Sequence, residues 1–249
     1  MNISKYSKDF WNTSVIFLPS LFEDQLIEET KSYLNCNETR IISTYRHDSR
    51  KLVLDIVNDK EFVKYFELPL SENFPLFGQY ISSNVLQIVS AIMKEDIRLV
   101  SIEVHSRNPG GSHIPLHQDN AYYGLKKGNA CTLFIPLSVS YFGNLKYIPN
   151  VPGVMHDHER SNAQAFSLQV SHSKRKSSFS GLKIIQDHTL GGAFLHHSHS
   201  LHFATNVPKN AERVWAVRMT FFGSKTDIKE GHLEWYNEVV SKNRDNARL

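Results

Sequence analysis

Leu116-His117-Gln118-Asp119-Asn120-Ala121-Tyr122-Tyr123 sets an imidazole and a carboxylate two residues apart. On an extended strand such residues point the same way, so His117 and Asp119 reach toward a single ion. A third ligand must come from elsewhere. Two histidines and one carboxylate on one face of an ion leave its other positions open, the usual arrangement of a non-haem Fe(II) oxygenase site. The later stretch Gly191 to Asn206 offers four candidates, His196, His197, His199 and His202, and spacing alone does not choose among them. Arg213 follows His202 by 11 residues (213 − 202), at the start of a strand-like run. A guanidinium is the natural bidentate partner of a carboxylate. A dicarboxylate that chelates the metal at one end needs such a cation at its other end.

Outward from this stretch, the texture is that of many short strands. Ile97 to Val104, Ala130 to Leu137, Leu145 to Ile148, Lys183 to Ile185, Ala193 to Leu195 and Val214 to Phe222 are strand candidates, with Gly- and Pro-containing turns between them. Such a pattern predicts a sandwich, barrel or jelly roll. Upstream, Val15 to Pro19 reads as a short strand and Phe22 to Leu34 as an amphipathic helix. Lys51 to Val57 reads as a possible strand, Phe62 to Phe66 as a short helix, and Asn73 to Met93 as helical. The expectation is one domain over 1–249: a helical layer mostly in 1–95, a β core mostly in 96–223 and a C-terminal tail in 224–249. The Ser-rich basic segment 171–181 reads as a loop at the surface, with a lid over the site as the functional alternative.

Bulk composition narrows the function. The chain has 249 residues, 41% hydrophobic and 11% aromatic, enough for a sizeable core. The net charge of +3 and the lack of a basic stripe argue against a nucleic-acid partner. No apolar run is long enough to span a membrane. The first 15 residues lack the apolar stretch of a signal peptide. Cys36 and Cys131 form no metal or disulfide pattern, which fits a reducing cytoplasm. Of 13 histidines, eight fall in two stretches, 105–117 and 188–202, which raises a metal hypothesis. His196, His197 and His199 lack the cysteines or carboxylate spacing of a separate zinc site.

Leu116 to Tyr123 resembles the metal-binding segment of the phytanoyl-CoA dioxygenase family, iron- and 2-oxoglutarate-dependent oxygenases on a double-stranded β-helix. Gly191 to Asn206 with Arg213 is similar to the family's distal histidine, small residues, Asn and Arg in that order. Val15 to Leu26 resembles its opening strand and helix, so the likeness runs through nearly the whole chain. The resemblance selects His202 from its neighbours and implies Fe(II), 2-oxoglutarate and O2 as cofactor and cosubstrates, with Arg213 holding 2-oxoglutarate. The chain departs from the family in two places. Gly143 to Pro152 lacks the histidine of the usual turn, and Ala204 stands where a small polar residue helps hold 2-oxoglutarate, a part that falls to Thr205 or Thr132. An acyl-CoA substrate is therefore not carried over. Halogenating relatives have Ala or Gly where Asp119 stands, so the resemblance implies oxygenation.

The expected activity is hydroxylation of a small polar metabolite, an amino-acid derivative or natural-product intermediate. Demethylation, desaturation or ring closure run through the same intermediate. An oxygenase acting on nucleic acid or protein, and a non-catalytic ligand-binding protein on the same fold, are the alternatives. Tyr122 and Tyr123 after the metal segment, Arg107 and His113 on its approach, and Trp215 on the face of Arg213 are the candidate substrate contacts. His105 is a further inward-facing candidate, and Asn206 is expected to fix the turn after His202. Cys131 and Thr132 alternate, so one of them faces the pocket. Arg218 lies an odd number of residues beyond Arg213, should face the other way, and reads as structural. A monomer or homodimer is expected.

Overall fold

The computed structural model describes residues 2–48, 51–67, 76–111, 113–138, 145–161, 168–171 and 189–232. The strand expected over Lys183 to Ile185, nearly all of the 171–181 loop and most of the C-terminal tail lie outside the described residues. In chain order the elements are α1 (Ile3–Thr13), β1 (Val15–Leu18), α2 (Asp24–Tyr45), β2 (Leu52–Val57), β3 (Lys60–Glu67), α3 (Phe77–Tyr80) and α4 (Ser83–Met93). Then come β4 (Ile97–Arg107), β5 (Ile114–His117), α5 (Asn120–Tyr123), β6 (Leu125–Lys127), β7 (Ala130–Pro136), β8 (Lys146–Ile148), β9 (His158–Arg160) and β10 (Leu168–Val170). The last are β11 (Ala193–His197), β12 (Leu201–Ala204), β13 (Val214–Gly223) and β14 (Asp227–Ile228).

A seven-stranded antiparallel sheet runs β1-β11-β7-β13-β4-β3-β2. A three-stranded sheet runs β5-β12-β8, and β10-β9 and β14-β6 form two small ribbons. The fold is mainly β, the jelly roll that the sequence predicts, with helices flanking it. The strands alternate, with register shifts at Thr220/Phe221 and Val53/Leu54. Ile102, Val104, Cys131, Leu133, Ile135, Leu195, Trp215, Val217, Met219 and Phe221 join one core with α1, α2 and α4. Their strand neighbours Glu103, His105, Thr132, Phe134, Ala216, Arg218 and Thr220 therefore face the other way. On that side Phe194, Tyr147, Leu145, Ile114 and Ala204, with Phe134 against them, fill the space between the two larger sheets.

The N-terminal layer departs from the sequence reading in four places. Phe62 to Phe66 is strand, because Asn58 and Asp59, both at positive φ, turn β2 back into a hairpin with β3. Helix α2 runs on to Tyr45, since Leu26, Thr30, Leu34 and Ile41 keep one buried face through it. Asn73 to Met93 is not one helix: Ser82 caps α4 afresh by accepting from the Val85 N–H. The chain also opens with a helix, α1, tied to α4 where Ser7 Oγ and Trp11 Nε1 donate to the Ile92 carbonyl at 2.9 and 3.1 Å. Of the three strands in this part, β1 and β2 lie where the sequence reading puts strands and β3 does not.

Candidate metal centre

Strand β5 lies at the edge of its sheet, which accommodates Pro115 within it. Its pairing with β12 puts His117 directly opposite His202, with ring centroids 4.1 Å apart. Strand β5 ends at His117, and Asp119 has helical backbone angles at the start of α5. The carboxylate therefore joins the two imidazoles through a turn, not through the two-residue strand repeat. Asp119 Oδ1 is 3.7 Å from His117 Nε2 and 3.5 Å from His202 Nε2. All three side chains are buried. They offer one ligand atom each within 4.8 Å of one another, a set able to hold a metal ion.

Backbone carbonyls fix which nitrogen is free. His117 Nδ1 lies 2.8 Å from the Pro115 carbonyl, and His202 Nδ1 lies 3.0 Å from the Ser200 carbonyl. A carbonyl only accepts, so Nδ1 carries the proton in each ring and Nε2 presents its lone pair. Burial, reinforced by His202, holds His117 well below the usual imidazole range, which keeps it neutral and able to ligate.

Asp119 Oδ2 has a different environment. It accepts from Thr132 Oγ1 at 2.9 Å, Arg218 Nη2 at 2.8 Å and Tyr123 Oη at 3.3 Å, with His196 Nε2 at 3.2 Å. Oδ1 is thereby left for a metal. Arg218 also donates to Glu103 Oε2 at 2.6 Å, and Glu103 meets His105 Nε2 at 3.3 Å. Burial raises the Asp119 carboxyl, but Arg218 and His202 outweigh it and hold the group well below its ordinary value. Glu103 is likewise raised by burial, yet Arg218 and His105 bring it down to about 2. Burial lowers His196 to about 4 although Asp119 opposes this, so its ring is neutral.

Gln118, between the two ligands of the H-x-D segment, is a staple. Its Nε2 donates to the Val154 and His199 carbonyls at 2.7 and 2.6 Å, and its Oε1 accepts from the His156 N–H at 2.8 Å. Beyond Tyr123, Gly124 has φ +61°, and a Cβ there would meet the His232 ring at 2.1 Å. Only glycine fits that turn.

Several expected site residues converge. Thr132 touches Asp119 while Cys131 packs in the helix-side core. Tyr123 joins the Asp119 network through Thr132, Thr220 and Arg218. The Tyr122 ring stands edge-on to His117 at 5.7 Å, and its hydroxyl engages Leu168. His105 does point inward, and Arg107 lies on the same side of β4. His113 is exposed, and so is Asn206. Thr205 is exposed too, and its carbonyl accepts from Arg107. His196, His197 and His199 do not converge on a second centre. His196 bridges Tyr147 and Asp119, His197 packs against Phe10 and Trp11, and His199 meets Asn120.

Arg213 and Trp215 are not brought to the triad. Arg213 reaches Glu38 of α2 with Nη1 and Nη2, both at 2.5 Å, and lies 3.8 Å over the Trp215 ring. Trp215 Nε1 donates to Asn35 Oδ1 on the same helix at 2.8 Å. Both residues occupy the odd-numbered face of β13, which α2 covers. Arg218 does face away from Arg213, as its parity requires, but the face it occupies is the one beside Asp119. Arg213→Gln is expected to cost roughly 1.5–3 kcal/mol of stability, the scale of a lost charge-assisted hydrogen bond. Urea unfolding checks this, with Fe(II) affinity unchanged.

No protein-family model matches the chain, and no curated protein does. Among solved structures, EvdO2 from Micromonospora carbonacea var. aurantiaca superposes with TM-score 0.69 and 13% identity, covering 91% of this chain and 92% of that one. The epimerase SnoN in complex with Fe3+, alpha ketoglutarate and nogalamycin RO gives TM-score 0.69 at 10% identity, with coverage of 94% and 88%. EctD from S. alaskensis in its apoform gives 0.69 at 10%, with coverage of 91% and 79%. At such identities the likeness is one of fold, the double-stranded β-helix.

Proposed function

We propose that this protein is an Fe(II)- and 2-oxoglutarate-dependent oxygenase. The observation that carries the reading is the buried triad: His117 Nε2, His202 Nε2 and Asp119 Oδ1 face one point, with tautomers and the second carboxylate oxygen fixed by their neighbours. Two imidazoles and one carboxylate suit Fe(II) and leave positions for a chelating cosubstrate and O2. When bound, the iron would supply the activation of O2 that no side chain provides. The chain's own part is positioning. The β5–β12 pairing sets the imidazoles, Arg218 and Thr132 hold Asp119 by Oδ2 and leave Oδ1 toward the imidazoles, and Tyr122 walls one side of His117.

The substrate reading is a small polar metabolite, hydroxylated by default. Support comes from fold neighbours of natural-product chemistry, SnoN with nogalamycin RO among them, and from a net charge of only +3. No helix among the described residues is long and apolar enough to cross a membrane. The test is succinate release from 2-oxoglutarate in air, with Fe(II) and a panel of amino-acid and natural-product acceptors. Succinate stimulated by one of them supports the reading. A protein that binds Fe(II) and 2-oxoglutarate but forms no succinate with any acceptor would favour a binding role instead.

A further inference from the structure

We propose that Arg107, on β4, holds the far carboxylate of the dicarboxylate cosubstrate, the task that the spacing from His202 gave to Arg213. The inference rests on the oxygenase reading and adds a residue to it. The arginines on β4, on β13 and just before β13 differ in their partners. Arg213 is paired through both terminal nitrogens with Glu38, on the helix side of the sheet. Arg218 is shared between Glu103 and Asp119. Arg98 sits at the other end of β4, over the Phe222 ring at 5.7 Å.

Arg107 differs from all three. It is 9% exposed, and its Nη2 donates to the Thr205 carbonyl. Its Nε has no hydrogen-bond partner among the described residues. Asp55 is the acid that acts on it, and Asp55 is engaged by Asn108 Nδ2 at 3.2 Å and faces Lys64 Nζ at 4.0 Å. A buried guanidinium with an unused donor is costly unless an anion completes it.

Its location fits a metal-chelating diacid. Arg107 lines a narrow cavity between the sheets together with His105, Ile114, Phe134, Leu145 and Ala216. His105, in the wall of this cavity, meets Glu103, which Arg218 links to Asp119, so the wall is tied to the network behind the triad. Arg107 is four residues along β4 from Glu103, roughly 14 Å at the usual strand rise. An extended arginine side chain and a five-carbon diacid laid end to end cover that order of distance. The cavity measures about 20 Å³, room for little more than a water, so its apolar walls must part for the methylene carbons and terminal carboxylate of 2-oxoglutarate to lie beside the cation.

The test compares two acids on Fe(II)-loaded protein without O2, by absorbance titration. 2-Oxobutyrate keeps the chelating end of 2-oxoglutarate and lacks its far carboxylate. The wild type should prefer 2-oxoglutarate by roughly 10–100-fold, the scale of a hydrogen-bonded charge. Arg107→Gln should bring that ratio near one at unchanged Fe(II) affinity, Arg107→Lys should restore part of it, and Arg213→Gln should keep it whole. If Arg107→Gln does not fold, Ala216→Val narrows the same cavity and should weaken 2-oxoglutarate more than 2-oxobutyrate. A preference intact in Arg107→Gln, equal weakening of both acids in Ala216→Val, or a preference lost in Arg213→Gln overturns the assignment alone. Binding of neither acid by the wild type overturns the oxygenase reading, and the assignment with it.

Discussion

His202→Ala is expected to weaken Fe(II) binding by more than about a hundredfold, beyond the 10–100-fold typical of losing a partner behind a ligand. His202 provides one of three ligand atoms, and its register opposite His117 leaves no neighbour able to replace it. His196 is the control. It meets Asp119 only through Oδ2, so His196→Ala should fall within the 10–100-fold range. Anaerobic calorimetry with Fe(II) separates the two. Equal losses would mean that His196, and not His202, completes the centre or shares it.

Arg218→Met should destabilise the metal-free protein by about 3–5 kcal/mol at pH 7, because it strands two buried carboxylates, Asp119 and Glu103. The pH dependence has a definite sign. In the wild type both carboxyls are held below their ordinary values, Glu103 at about 2 against 4.5. Their stabilising contribution is present above the ordinary value and is lost as pH falls toward about 2. Without Arg218, burial is the main influence left on Glu103 and raises its carboxyl, so the group protonates as pH falls through the ordinary range and its penalty is relieved. The gap between wild type and variant in urea unfolding should therefore narrow from pH 7 to pH 4. A gap independent of pH would mean that Arg218 contributes packing and little charge compensation.

The mainly β fold was legible because short alternating strands are a local signal, and the nearness of His117 and Asp119 because they are two residues apart, although a turn and not the strand repeat joins them. Spacing did not give the third ligand, since four histidines compete within 196–202; the family resemblance selects His202, and the β5–β12 register sets it opposite His117. The arginine reading failed for a related reason. Parity put Arg213 and Arg218 on opposite faces, but parity does not say which face meets the metal. That is decided by α2, whose Glu38 and Asn35 stand 175 and 180 residues from Arg213 and Trp215. Glu103 and His196 went unassigned to the site because each acts through another residue. The β3 strand was read as helix because its hairpin depends on Asn58 and Asp59 at positive φ, a pair weaker as a turn signal than Asn-Gly.

The most direct test is the visible absorbance of the protein with Fe(II) and 2-oxoglutarate in the absence of O2. The account predicts a weak charge-transfer band that forms with the wild type, persists in Arg213→Gln and is lost in His202→Ala. A wild type without the band, or a band that survives in His202→Ala, would contradict it.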